Sequence, residues 1–328
     1  MKRFWKRPVL RLAPQFALAL WGLFCAGAVY YNLRCCGPLR WVGFVLPVLP
    51  FLIRSWRSAC ATAAVLAIVT TGYLALVRPS NNRDWQPSFS RNPTAQIEGT
   101  KLTVRNLRDF RYRTETDFDA AYIDETYDLS KLEDVSLAVI HWGSNAIAHT
   151  MVSFRFSDGK ALTFSMETRL DKQDVQGALP GLFRQFELLC IAGTERDLLG
   201  LRTNFRHEDV YLYPVISSPA NTRRLLLAMT DKVNGLAVQP EFYNTLTSNC
   251  TTALVPVLNR NGQMPCNCKL FLNGYSDLAA YEAGILRLDY PGEGFEELKQ
   301  RHYVNPKVDH CDIYAPGFNY SAAIREGF

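Results

Sequence analysis

The sequence predicts an α+β domain with a central antiparallel sheet, preceded by an N-terminal helical membrane anchor. Three observations carry this. The first 83 residues hold long apolar runs without charge, the chain from Lys101 onward breaks into short β-like runs separated by turn residues, and helical patterns follow the grouped strands.

The anchor comes first in the chain. Residues 12–33 form a 22-residue stretch without a charge, and residues 59–77 form another of similar length. Each is long enough for a hydrocarbon core that needs about 20 apolar residues. Between them, residues 41–53 are apolar but short and contain Pro47 and Pro50. This segment either crosses, with Arg40 snorkelling, or re-enters. A cleaved signal peptide is the alternative for a basic N-terminus followed by an apolar run, but the further hydrophobic stretches favour a retained anchor. Lys2, Arg3, Lys6, Arg7 and Arg11 favour a cytoplasmic N-terminus. Three crossings then place the rest of the chain outside, and two would leave it in the cytoplasm; three is the expectation. Residues 1–80 are accordingly read as anchor, 81–100 as an Asn-, Pro- and Ser-rich linker, and 101–328 as an extracytoplasmic domain.

Charge follows the same division. Residues 1–83 contain eleven Lys or Arg and no Asp or Glu; the whole chain is +5, so residues 84–328 carry −6. The basic balance belongs to the anchor, and an acidic globular part gives no reason to invoke nucleic acid.

In the globular part, residues 102–107, 138–141, 148–156, 161–168, 187–192 and 210–215 read as strands. Helical patterns cover 178–183, 219–233, 251–258 and 277–284, although Pro256 tends to kink or shorten the third. One hairpin can be read in register. Thr150, Val152, Phe154 and Phe156 share one face of a strand, and Leu162, Phe164 and Met166 share a face of the next. A three-residue Ser157–Asp158–Gly159 loop, with Gly159 left-handed, sets Val152 opposite Phe164 and Phe154 opposite Leu162. His149 then lies across from Glu167, with Cβ atoms about 5 Å apart.

That pairing has chemical meaning beside Cys250. Ser248 or Asn249 is a good N-cap for a helix starting near Thr251. A thiol in the first turn feels the positive end of the helix dipole, which favours its thiolate, and unpaired N–H groups there suit an oxyanion. His149 would be the base and Glu167 the group that orients it. The bland alternatives are a buried small hydrophobe at Cys250 and an inconsequential cross-strand His–Glu pair. His141 is a rival base that more readily ends a strand beside Trp142 and Gly143; His207 reads as a solvated turn. Cys266 and Cys268 with His310 and Cys311 suggest zinc, but the one-residue gap is too tight for the usual spacing. Outside the cytoplasm, disulfides among Cys190, Cys266, Cys268 and Cys311 are the better reading, with the pairing open. No Gly-rich phosphate loop, Gly-x-Ser-x-Gly elbow or His-Glu-x-x-His helix is present.

The segments His141-Trp142-Gly143, Ala148-His149-Thr150, Phe164-Ser165-Met166-Glu167-Thr168-Arg169, Asp209-Val210-Tyr211-Leu212-Tyr213 and Tyr243-Asn244-Thr245-Leu246-Thr247-Ser248-Asn249-Cys250-Thr251-Thr252 resemble the Lnb N-terminal periplasmic domain family. The resemblance covers about residues 95–290 and is most specific at the stretch ending Asn249-Cys250-Thr251-Thr252. It implies a permuted papain-like fold of the NlpC type, in which the base precedes the nucleophile. It also implies lipoprotein N-acylation: an acyl chain moves from the glyceryl moiety of a diacylated lipoprotein to its N-terminal amine through a thioester on Cys250. His149 and Glu167 would then be catalytic. Asn249 and the Cys250 N–H would donate to the oxyanion, with Ser248 and Asn244 in support. Tyr243, Trp142 and Arg169 would contact substrate. No cofactor is expected; the expected partners are a lipid-linked substrate and the membrane. The site would lie on the periplasmic side of the inner membrane. A papain-like hydrolase acting on a peptide, peptidoglycan amide or lipid ester shares every catalytic residue. A non-catalytic envelope binding protein is the reading from another class.

Overall fold

A computed structural model describes residues 8–45, 48–53, 55–258 and 273–327. The chain falls into two compact units: Met1–Ser80 with Val175–Phe186, and Asn81–Asp174 with Glu187–Phe328.

The first unit is helical. Helix α1 spans Pro8–Asn32, a 3-10 stretch covers Arg34–Trp41, α2 is Val42–Val45, α3 is Leu49–Leu52, and α4 is Trp56–Leu76. The Ser55 hydroxyl caps α4 by accepting the Ser58 N–H. Among the described residues, Arg57–Leu76 is the one helix long and apolar enough to cross a membrane, and Phe16–Asn32 is a shorter apolar helix. Both present apolar side chains outward, among them Phe16, Leu23, Val65, Ile68 and Val69. Such a surface suits lipid better than water.

The segment between the two long helices turns back along α1. Gly43 lies so close to α1 that a Cβ would meet Ala26 O at 2.8 Å and Val29 Cβ at 2.9 Å. Pro50 sits further back, among Leu18, Trp21, Cys25, Ala63 and Leu66. The last turns of α1 and α4 then meet the same short segment. Phe183 stacks on Tyr31 at 5.4 Å and packs with Ala28 and Leu74, and the Arg184 guanidinium donates to Leu74 O at 2.5 Å. Helices α1 and α4 therefore run parallel. A side chain at Gly27 would collide with the Phe183 ring. The helix expected over 178–183 is only a 3-10 turn, Pro180–Leu182, which Phe183 ends by leaving helical geometry at φ −119° and ψ 31°.

The second unit is a mixed α+β domain around a mostly antiparallel sheet. Its strands are β1 Thr94–Glu98, β2 Lys101–Arg108, β3 Arg111–Tyr112, β4 Phe118–Asp119, β5 Tyr122–Asp128, β6 Leu132–Trp142, β7 Ser144–Phe156, β8 Ala161–Arg169, β9 Glu187–Gly193 and β10 Asp209–Pro214. The order is β1-β2-β9-β8-β7-β6-β10, with β5 also on β2 and β3–β4 a separate ribbon. Among the described residues only the β2–β9 contact, Arg108 with Gly193, is parallel. The helices are α5 Glu195–Leu198, α6 Pro219–Val238, α7 Cys250–Leu258, α8 Ser276–Glu282, α9 Phe295–Arg301, α10 Asn305–Val308 and α11 Tyr320–Ala323.

Period-two alternation divides the core between the two faces of the sheet. Val152, Phe154, Phe164, Met166, Leu188 and Cys190 turn toward α6 and α7, joined by Leu226, Met229 and Leu254. Met151, Leu189, Ile191, Val210 and Leu212 turn the other way, against Val304, Val308, Ile313 and Tyr320. Cys190 and Cys311 are free and belong to these opposite layers, so they do not pair with each other. Cys266 and Cys268 lie outside the described residues.

The stretch read as a linker joins this unit. It supplies β1 and Trp85, whose indole lies 4.1 Å under the Arg169 guanidinium.

Buried ion pairs fix the α5 region, Glu195 with Arg325 and Asp197 with Arg108. Asp197 accepts from Arg108 Nη2 at 2.8 Å, from the Phe110 N–H at 2.8 Å and from the Tyr112 hydroxyl at 3.1 Å. Removing the carboxylate would strand a buried guanidinium. Asp197→Ala is expected to cost about 3–5 kcal/mol, lowering the melting temperature of the full chain by roughly 10 °C in a thermal scan.

Candidate active site

The β7–β8 hairpin has the register its sequence predicts: Val152 opposes Phe164, and Phe154 opposes Leu162. Gly159 has φ +83° and its N–H reaches back to Phe156 O at 3.0 Å, as a three-residue loop requires. The pairing stops at Met151–Ser165. Beyond it β8 stays with β9 to Arg169–Glu187, while β7 stays with β6 through Ile140–His149. The two strands part, and an edge of β7 at residues 148–150 is left open.

The start of α7 fills that edge. The Cys250 sulfur lies 3.9 Å from Ala148 O and takes the Thr150 N–H, using the backbone groups a neighbouring strand would have used. The Thr150 and Thr251 hydroxyls, 3.2 Å apart, tie helix to strand. Cys250 is the first helical residue because Asn249 is the cap. Its Oδ1 accepts the Thr251 and Thr252 N–H groups at 3.0 and 2.8 Å, while its Nδ2 donates to Thr245 O at 2.9 Å. Both ends of that amide are used within the loop and cap, so Asn249 positions the sulfur and its amide does not face an oxyanion. Asn244 and Ser248 close the preceding loop through reciprocal backbone bonds of 3.1 and 2.9 Å. Asn244 Oδ1 also takes the Leu246 and Thr247 N–H groups, each at 3.0 Å.

His149 meets the sulfur here. Both residues are only 6% exposed, and the imidazole hydrogen-bonds to the thiol. Nε2 lies 3.1 Å from Glu167 Oε1 and 2.6 Å from Ser165 Oγ, which leaves Nδ1 for the sulfur. Ser165 donates to Glu167 at 2.7 Å and so accepts from the ring. Arg202 Nη2 stands 3.8 Å from the same carboxylate, delivered by the π-helical turn Leu201–Phe205 that follows α5.

The electrostatics follow from this chain of groups. Burial raises a thiol, but the imidazole outweighs it and brings Cys250 below its ordinary value. Burial disfavours a charged ring, yet Glu167 and the sulfur more than offset it and hold His149 well above its ordinary value. Glu167 is buried too, and His149, Arg202 and Ser165 keep it ionised. All three shifts run in the direction that favours a thiolate–imidazolium pair backed by a carboxylate. This is the arrangement that activates a sulfur nucleophile.

Other residues named from the sequence fall elsewhere. The Arg169 guanidinium is 2% exposed and donates to Phe89 O, Asn81 Oδ1 and Ser90 O, so it holds the chain that enters the domain and does not meet substrate. Tyr243 is half-buried and hydrogen-bonds to Thr168; burial pushes its hydroxyl up to about 12. Trp142 is exposed at the tip of the β6–β7 hairpin. His141 neighbours Ile140, the cross-strand partner of His149, so its ring points to the opposite face, with Nε2 3.7 Å from Asp277. His207 is exposed in a turn.

Three contributors were missed in the sequence. Ser165 was visible, since alternation puts it on the Glu167 face. Arg202 and Asn273 carry no motif. Asn273 begins the 3-10 turn Asn273–Tyr275, and its Nδ2 donates to the Cys250 sulfur at 3.2 Å.

Residues 118–271 match the family of the Lnb N-terminal periplasmic domain. It is the family suggested by the sequence motifs. The Lnb-type segment starts at β4, contains Cys250, His149, Glu167, Ser165 and Arg202, and ends two residues before Asn273. A match to a periplasmic domain, with an apolar helix long enough to cross a membrane ahead of it in the chain, is consistent with a membrane-anchored periplasmic domain. No curated protein and no solved structure matches the chain.

The ion pair has a direct readout. With the thiol held down by His149, alkylation of Cys250 by iodoacetamide is expected to fall less from pH 8 to pH 6 than the roughly 80-fold loss of a thiol of pKa about 8.5. Peptide mass spectrometry of the alkylated protein measures both rates.

Proposed function

We propose that this protein is a membrane-anchored cysteine acyltransferase of the Lnb type that moves an acyl chain on a lipoprotein N-terminus, in a permuted papain-like domain. The observation that carries it is the buried Cys250–His149–Glu167 chain at the start of a helix laid on an antiparallel sheet. The order of His149 before Cys250 is the one a permuted papain-like domain requires.

The chemistry runs in two balanced steps. The Cys250 thiolate attacks the ester carbonyl of the donor lipid, the C–O bond breaks, and the His149 imidazolium gives its proton to the departing glyceryl oxygen. The N-terminal amine of the acceptor then attacks the thioester. Neutral His149 takes the amine proton, and the thiolate leaves as the amide forms. Glu167 keeps the ring oriented and supports its positive charge through both steps.

An apolar donor is supported by the surroundings. Three of the segments that carry site residues also expose large apolar side chains: Trp142 and Ile147 beside His149, Leu246 ahead of Cys250, and Tyr275 after Asn273. Parallel α1 and α4, following a basic N-terminus, support a periplasmic domain held at the inner membrane.

Incubating the full chain in detergent with a diacylated lipopeptide tests the reading by mass spectrometry. An unchanged total mass with one acyl chain moved to the amine supports transfer. A free fatty acid or a cut peptide replaces it with a hydrolase, and no thioester on Cys250 ends both.

A further inference from the structure

The geometry points to Asn273 as the side-chain donor of the oxyanion hole, acting with the backbone N–H of Cys250. This rests on the acyl-transfer reading above and adds to it a residue beyond the Lnb-matched segment.

Other amides in the domain are used differently. Asn249 is bonded at both ends of its side chain. Asn234 takes the Ala95 N–H and donates to Ala95 O, both at 2.8 Å. Asn81 accepts from Arg169 and donates to Leu236 O. Each of these holds backbone together. Asn273 does not: among the described residues its Nδ2 reaches only the sulfur, at 3.2 Å, and its Oδ1 is buried with no partner. A buried amide oxygen left without a partner costs free energy and calls for a reason. An amide kept for structure would be tied at both ends; this one is aimed at the nucleophile.

The second donor follows from the cap. Asn249 satisfies the N–H groups of Thr251 and Thr252, the second and third helical residues. The N–H of Cys250, at the first position, has no intrahelical acceptor and points off the helix end. Asn273 Nδ2, 3.2 Å from the sulfur, and this N–H, on the residue that bears it, are the two donors available there. When the sulfur bonds to an acyl carbon, the negative charge passes to the carbonyl oxygen, one bond further out. A donor that served the thiolate is then within reach of the new oxyanion and needs no reorganisation.

Asn273→Asp keeps the shape and removes the N–H donor, and Asn273→Ala removes the amide. The full chain in detergent is given p-nitrophenyl octanoate, with release of p-nitrophenolate and the mass of the thioester followed together. Both variants are expected to acylate about 10²–10³-fold more slowly than the wild type. Alkylation by iodoacetamide forms no oxyanion and should change by less than about threefold for Asn273→Ala, which also shows that the site is folded. Equal losses in both reactions would mean that Asn273 only places the sulfur, and unchanged acylation would mean that it has no part; either result overturns the proposal alone. If the wild-type chain forms no thioester at all, the acyl-transfer reading fails, and the oxyanion role with it.

Discussion

Cys250→Ser is expected to abolish acyl-enzyme formation, a fall of at least about 10⁴-fold, while leaving the domain folded. The substitution changes one atom at the first position of α7, where Asn249 and the Thr150–Thr251 contact hold the helix start independently of the sulfur. A hydroxyl cannot be ionised by this imidazole as a thiol can, and the charge balance of the site would collapse to neutral serine beside His149. Intact-protein mass spectrometry after exposure to an activated ester reads the loss, and an unshifted thermal transition confirms the fold. Retention of a tenth of the activity would remove the sulfur from the chemistry and leave a lipid-binding envelope protein as the reading.

His149→Ala should show the same loss of transfer and, in addition, a changed acid side of the pH profile. With the ring gone, burial is opposed only by weaker partners such as the Thr150 N–H, and Cys250 moves back upward. Its alkylation rate at pH 6 is expected to fall below that of the wild type, with full reactivity returning only in alkaline solution. The sign is set by the pair: the cation lowers the thiol, and the thiolate helps to raise the ring. Glu167→Gln is the milder companion. It removes the strongest support for the imidazolium but leaves Ser165 bonded to Nε2, so its effect lies between wild type and His149→Ala. A pH profile for His149→Ala that overlays the wild type would place the ring outside the reaction.

The hairpin that carries His149 and Glu167 was legible because two constraints agree. Alternation fixes which side chains share a face, and the Ser157–Asp158–Gly159 loop fixes the register. The cap before Cys250 was legible for a similar reason, since Asn249 is followed by a helix whose first N–H groups need an acceptor. The meeting of sulfur and ring could not be read locally. It depends on β8 leaving β7 after Ser165, a choice made by its longer partnership with β9. Asn273 was invisible for the same reason: it reaches the sulfur through the packing of a short turn against β7, with no pattern of its own. Arg169 shows the opposite error. An Arg within a motif stretch resembles a substrate contact, but the Trp85 ring and three acceptors had already claimed it.

Phe183 belongs by sequence to the β8–β9 connection but by packing to Phe24, Ala28, Tyr31 and Leu74. A fragment begun at residue 81 would carry Leu182 and Phe183 into solvent with nothing left to cover them. Water-soluble versions for enzymology therefore need that connection shortened or its aromatic made polar; trimming the N-terminus by itself should yield material that self-associates.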